Sequence, residues 1–363
     1  MPPASASLVG HAPNRIALSI VRTFPEHRPL YLSAIGSFAA SFAILAWYGR
    51  PMSFEAGLFF LKVTAELTLL WVGLLVSRDL FVLWRSGTPA SPARLLAERM
   101  LERFLVGDRP GNVFHSLVTL TPMMIAFTVM KDNIAVIHPF DWDKTFAHWD
   151  LLLGGGSAPW ELLQPLLGHP AITIALNFNY HLWFFLMFGV LTWQAFSPRT
   201  DALRMQFLLA FCFAWFFVGS VLALVFSSAG PCFYDRLFPD QPLFAAQMAY
   251  LNGIGANWIW SLAVQNDLWH SYVTGDGQIT GISAMPSMHV TIATLLALLG
   301  WRKSAGLGIA FSLFAAAILL GSVHLAWHYA VDGLAAVVLA IFFWWIAGCA
   351  AQRWRRFPDE KIQ

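Results

Sequence analysis

Three short segments carry residues able to do nucleophilic or acid–base chemistry. The first is His324-Leu325-Ala326-Trp327-His328-Tyr329-Ala330-Val331-Asp332. Its spacing of i, i+4 and i+8 predicts that His324, His328 and Asp332 share one helix face. An aspartate one turn from a histidine holds the imidazole in one tautomer and favours its cation. That prepares the other ring nitrogen for nucleophilic attack. The second segment is Ser283-Ala284-Met285-Pro286-Ser287-Met288-His289. Pro286 marks a helix start, where free backbone N–H groups suit a phosphate oxyanion, and His289 just inside can protonate a leaving alkoxide. The third, Ser227-Ser228-Ala229-Gly230-Pro231, ends an apolar run.

The elements that must position these residues are membrane helices. The chain has 363 residues, 58% of them hydrophobic and only 12% charged, against about 25% charged in ordinary soluble domains. Apolar runs near the ~20 residues needed to cross a bilayer fall at 30–48, 54–84, 112–130, 170–196, 205–229, 284–301, 306–323 and 326–349. Eight helices are expected, because unpaired backbone in lipid is too costly. The 17 Trp and 31 Phe suit aromatic belts at two interfaces. Arginine and lysine alternate with the spans. Arg15, Arg22 and Arg28, then Arg85 to Arg109, Arg199 and Arg204, Arg302 and Lys303, and the tail with Arg353, Arg355, Arg356 and Lys361 form one set. The opposite set holds only Arg50, Lys131, Lys144 and Arg236. The positive-inside rule then predicts both termini cytoplasmic and all three chemical segments on the non-cytoplasmic face. Two segments on that face, 131–169 and 230–283, are amphipathic enough to lie on the membrane as caps. The first includes an interfacial helix from near Pro159; the second includes a glycine-flanked turn at Asp276.

Other signals exclude classes of function. No long basic run points to nucleic acid. Cys212, Cys232 and Cys349 have no metal-ligand or disulfide spacing. The polar stretch 1–29 lacks the apolar core of a cleaved signal, so the first span is read as an uncleaved targeting segment. Asn177, Asn179, Tyr180 and His181, inside the fourth span, serve either helix–helix hydrogen bonding or a lipid cavity lining.

The Pro286-Ser287-x-His289 segment, followed about 40 residues later by His328-x-x-x-Asp332, resembles the type 2 phosphatidic acid phosphatase superfamily. His328-Tyr329-Ala330-Val331-Asp332 preceded by another histidine looks closer to the inositol phosphorylceramide synthase branch. The resemblance covers roughly 170–349, and more weakly the segment from Asp150 to Trp160. It implies a six-helix membrane core and chemistry without a metal. His328 would be the nucleophile forming a phosphohistidine, Asp332 would orient it, and His289 would serve as acid and base. Ser287 would help to bind phosphate, with Ser283, His324 and Arg236 as further phosphate-binding candidates. The chain departs from the family pattern where a Lys and an Arg-Pro pair are usual: it reads Ala229-Gly230-Pro231, and Ser322 stands six residues before His328. Arg236, His324 and Lys131 are the candidate replacements. A phosphodiester carries less charge and needs fewer cations, so the departure leans toward transfer of a head group between lipids.

The expected architecture is an all-α polytopic bundle. It divides into a cytoplasmic segment 1–29, N-terminal membrane helices 30–130, a catalytic domain 131–350 with its two caps, and a tail 351–363. The expected partners are the plasma or inner membrane bilayer, a lipid phosphate donor, and a lipid alcohol or water as acceptor, with no nucleic acid and no cofactor. Three alternatives stand beside this reading. One is a simple lipid phosphate phosphatase. Another is a metal-dependent membrane hydrolase built on His324, His328, Asp332 and His289. The third is a non-catalytic transporter or scaffold.

Overall fold

The computed structural model describes residues 4–52, 55–85, 87, 91–275 and 280–355. Asp276 and Gly277 of the expected turn, and Arg356 and Lys361 of the expected tail, lie outside the described residues. The helices run in order as α1 (Ala4–Trp47), α2 (Glu55–Arg85), α3 (Pro92–Phe104), α4 (Arg109–Ile137), α5 (Asp143–Leu153), α6 (Pro159–Leu167), α7 (Pro170–Ala195) and α8 (Ala202–Phe213). A π-helical stretch, Ala214–Leu222, continues α8 into α9 (Ala223–Val225). Then come α10 (Pro231–Leu237), α11 (Ala245–Ile254), α12 (Trp260–Thr274), α13 (Met288–Lys303), α14 (Ala305–His324) and α15 (Ala330–Arg355). No strand occurs among the described residues.

The chain is an all-α, multi-pass membrane protein. Seven helical segments are long and apolar enough to span a bilayer: Ala12–Trp47, Leu61–Arg85, Arg109–Ile137, Pro170–Ala195, Ala202–Val225, Ala305–His324 and Ala330–Arg353. The eighth expected span is α13, with 16 residues. At ~1.5 Å per residue it covers about 24 Å, less than the ~30 Å hydrocarbon layer. Its sequence is nonetheless the most enclosed of the set, with every residue from Val290 to Ala297 buried.

Local chemistry sets the helix boundaries. Proline opens α6, α7 and α10, where its fixed φ and missing N–H cost nothing. Asp201, Ser287 and Ser304 cap α8, α13 and α14 by accepting the N–H groups of Arg204, Val290 and Leu307. Ser304 alone separates α13 from α14, so these two helices form a tight antiparallel pair.

The first helix differs from expectation. The apolar run begins near residue 30, yet α1 is continuous from Ala4. Its polar residues Ser19, Thr23 and His27 are buried rather than solvated. They face α4 and α8: the Gly111 N–H donates to the Ser19 hydroxyl, and Arg204 reaches His27. Helical polar side chains with protein partners need no water, which is why hydropathy alone underestimates this helix.

The caps are helical as well. α5 and α6 occupy the first inter-span segment, and α10, α11 and α12 the second. Cap residues are pinned to the α14–α15 junction. Gln247 of α11 donates to the Val323 carbonyl at 2.7 Å, and Gln265 of α12 donates to the Leu325 carbonyl at 3.0 Å.

Candidate functional site

The three segments singled out by residue type meet at one end of the bundle. The Ala284 N–H donates to the Ser228 carbonyl at 2.9 Å, and the Met285 N–H donates to the Ser228 hydroxyl at 3.1 Å. The Ser287 N–H reaches the Asp332 carbonyl at 3.3 Å, and the Cys232 N–H the Ala326 carbonyl at 2.9 Å. Backbone pairing thus ties the end of α9, the start of α13 and the α14–α15 junction into one unit. Gly230 takes φ of +98°, and a Cβ there would stand 2.7 Å from the Trp327 carbonyl oxygen. Only glycine permits that approach.

Two carboxylates from α5 bind this unit together. Asp143 accepts the N–H groups of Ala229 and Gly230, both at 2.8 Å, and the Tyr329 hydroxyl at 2.8 Å. Asp150 accepts the N–H groups of Ala330 and Val331 at 2.7 and 3.0 Å, capping the start of α15. The two side chains lie seven residues apart, two turns along one face. Both are buried, at 0% and 4% exposure. Burial lifts each pKa to about 6, against the opposing pull of the N–H groups that they accept.

His328 and Asp332 form a buried pair, Nδ1 to Oδ2, at a long 3.4 Å. The same Oδ2 accepts the Tyr329 N–H at 3.1 Å, while Oδ1 has no partner. A donor at Nδ1 leaves Nε2 with its lone pair available. His289 sits in an aromatic enclosure formed mainly from α7. Its ring stacks on Tyr180 with centroids 4.2 Å apart and planes 17° apart, and lies tilted by 36° against Trp183 at 4.2 Å. Trp183 Nε1 donates to the His289 carbonyl at 3.0 Å and so fixes the first turn of α13. Neither His289 ring nitrogen makes a hydrogen bond among the described residues. The two histidines are close enough to interact electrostatically.

A family model of the PAP2 superfamily, the type 2 phosphatidic acid phosphatases, matches residues 144–346. That is more than half of the chain. The protein belongs to the PAP2 superfamily. Membership supports phosphatase or phosphotransferase activity on lipid phosphates. No curated protein and no solved structure matches the chain.

Set against PAP2 chemistry, the remaining candidates are placed unevenly. Ser287 is fully buried at the N-cap of α13, accepting the Val290 N–H at 3.4 Å. Its own hydroxyl proton remains free for a ligand oxygen. Ser283 is partly buried just before Ala284 and makes no side-chain hydrogen bond among the described residues. The expected common helix face of His324, His328 and Asp332 does not form. α14 ends at His324, α15 starts at Ala330, and Ala326 between them has φ of +61°. The turn redirects His324 toward α7, where Nε2 pairs with the Thr173 hydroxyl at 2.9 Å. Arg236 is exposed, donates to Asn266 at 2.8 Å and lies over the Trp269 ring. Arg109 stays at the far end of α4, bonded to the Phe196 carbonyl at 2.7 Å.

The ligand set proposed for a metal is not assembled: no three His, Cys, Asp or Glu side chains among the described residues are grouped as metal ligands. Sequence reasoning gave no role to Asp143, Asp150 or Trp183. The i, i+7 aspartates on a short cap helix were a visible signal for the first two. Nothing local distinguishes Trp183 from the other sixteen tryptophans, because its role is set by the approach of α7 to α13.

Proposed function

We propose that this PAP2 protein transfers a phosphate-linked head group, of the phosphoinositol type, from a phospholipid to a lipid alcohol through a phosphohistidine. The observation that carries the reading is the division of labour between the two histidines. His328 is held at Nδ1 by a buried carboxylate, and His289 keeps both ring nitrogens uncommitted. In the first half-reaction His328 Nε2 bonds to phosphorus as the bond to the leaving oxygen breaks. His289 gives that oxygen a proton. In the second half, the acceptor alcohol loses its proton to His289, its oxygen bonds to phosphorus, and the P–N bond breaks. The Ser287 hydroxyl and the first N–H groups of α13 donate to the phosphoryl oxygens.

The resemblance of His328-Tyr329-Ala330-Val331-Asp332 to the inositol phosphorylceramide synthase branch supports transfer, as does the scarcity of arginine around the pair. The charge alternation supports cytoplasmic termini and a site facing away from the cytoplasm of a plasma or inner membrane, with residues 131–350 as the catalytic domain. The test is incubation of the full chain with a panel of phospholipids, with and without ceramide or diacylglycerol, read by mass spectrometry. A new phosphodiester that needs both donor and lipid alcohol is the expected product. A released head-group phosphate, or free phosphate from a monoester donor, without the lipid-alcohol product would replace transfer by hydrolysis, and no product from any donor would refute the enzyme reading.

A further inference from the structure

The PAP2 pattern places cations beside its histidines, and the expected positions here hold Ala229, Gly230 and Ser322. The middle of α7 and the last turns of α4 carry two polar groups, Tyr180 and Lys131, whose side chains make no hydrogen bond among the described residues. Tyr180 is 4% exposed, and its hydroxyl has no hydrogen-bond partner among the described residues. A buried tyrosine normally pairs its hydroxyl, and leaving one unpaired costs about 1–3 kcal/mol. Phenylalanine would fill the same space without that cost. The ring position is tightly defined. It lies flat on the His289 imidazole and parallel to Trp327, with planes 6° apart and centroids at 6.1 Å. The hydroxyl is also within electrostatic reach of Cys232 and Asp332.

Lys131 arrives from α4, which precedes the matched family segment at 144–346. Packing sets its position. One turn earlier on the same face, Phe127 stacks edge-on against Trp215 at 4.4 Å. Gly219, within the π-helical stretch, makes room for it: a Cβ there would stand 2.8 Å from the Phe127 ring and 3.3 Å from Met288 Sδ. At the next turn Gly281, with φ of +80°, passes so near α4 that a Cβ would stand 2.7 Å from Lys131 Cγ. The neighbouring Thr280 hydroxyl donates to Asp132 at 2.5 Å. α4 is therefore locked against the segment leading into Ser287 and His289. The Lys131 ammonium interacts electrostatically with His289 and with the neighbouring Asp132, and among the described residues it makes no hydrogen bond and no ion pair within 4 Å.

We propose that Tyr180 and Lys131 bind the phosphoryl oxygens of the substrate, replacing the Lys and Arg clamp of the PAP2 pattern with one hydroxyl donor and one cation. This rests on the phosphoryl-transfer reading above. One cation and neutral donors match the single negative charge of a phosphodiester better than the higher charge of a phosphomonoester.

The experiment uses the full chain in detergent micelles, with inorganic phosphate as the probe and thermal stability as the readout. Phosphate should stabilise the wild type. In Tyr180→Phe and in Lys131→Met, the concentration needed for that stabilisation should rise about tenfold or more. In the absence of phosphate, Tyr180→Phe should be as stable as the wild type or more so, because an orphaned buried hydroxyl is gone. No phosphate response in the wild type, an unchanged response in either variant, or collapse of Tyr180→Phe without phosphate would each overturn the assignment. Turnover of the lipid panel is scored separately. A normal phosphate response with no lipid turnover would condemn the enzymatic reading and uphold the anion site.

Discussion

Two polar clusters are buried at opposite ends of this helical bundle, and they treat their hydrogen bonds in opposite ways. At one end Arg204 is 1% exposed and, among the described residues, has no carboxylate within ion-pair distance. It donates to the Gln194 carbonyl at 2.7 Å, His27 Nε2 at 2.9 Å, the Ser116 hydroxyl at 2.8 Å and the Asn112 carbonyl at 3.2 Å. His27 donates through Nδ1 to the Thr23 carbonyl at 2.7 Å, so it must be neutral to accept from Arg204. His115 pairs at both nitrogens, with Tyr31 at 2.8 Å and the Ile20 carbonyl at 2.9 Å. At the other end the Asp332 Oδ1, the Tyr180 hydroxyl and both His289 ring nitrogens are unmatched. The first cluster is closed and joins α1, α4 and α8. The second leaves these atoms without a partner among the described residues. In a low-dielectric interior an unmatched polar atom is costly, so a concentration of them marks a place where a ligand completes the structure.

The contrast can be broken most decisively at His328. His328→Ala should lower lipid turnover by about 10^4-fold while leaving the melting temperature within a few degrees, as measured by turnover and thermal scans on one preparation. Retained activity would end the assignment of the open cluster. Arg204→Met is the mirror experiment. It strands four buried acceptors and should cost roughly 3 kcal/mol of stability, with turnover per folded molecule unchanged. A selective loss of turnover would show that the closed cluster is not merely structural.

The α5 carboxylates sharpen the comparison through pH. Burial raises Asp143 and Asp150 from 3.8 to about 6, so ionising them costs more in the folded chain than in the unfolded one. Their favourable contribution is full below pH 3.8 and is lost as pH rises through about 6. By linkage each accounts for roughly 3 kcal/mol at most. Thermal stability should therefore fall between about pH 3.8 and about pH 6, and Asp143→Asn and Asp150→Asn should each flatten that fall. The smallest expected effect is at the closed end. Tyr31→Phe removes one donor to His115 and should cost about 1 kcal/mol, with no change in turnover.

Much of this was legible in the chain itself. Eight apolar runs appeared as eight helical segments, and the interfacial helix near Pro159 appeared as α6. The boundaries missed were those where polar side chains find partners inside the bundle, as in α1 with His27 and Ser19. Hydropathy counts such residues as wet because it cannot see Arg204 waiting 177 positions away. The three chemical segments were also visible, because each is short and its spacing is set along one stretch of backbone. The i, i+8 inference for His324 failed for the complementary reason. A five-residue turn with Ala326 at positive φ intervenes, and cap helices pinned by Gln247 and Gln265 hold it there.

The sequence by itself determined that the protein crosses a membrane many times and that His289, His328 and Asp332 fall in segments that resemble a PAP2 pattern. Both conclusions rest on local composition and spacing, which lipid and backbone geometry read directly. Only the tertiary structure decided what surrounds those three residues. Asp143 and Asp150 hold their loops, and Tyr180 and Trp183 enclose His289. Each of those contacts depends on distant segments being brought to one place, and no spacing along the chain encodes which of several similar side chains will arrive.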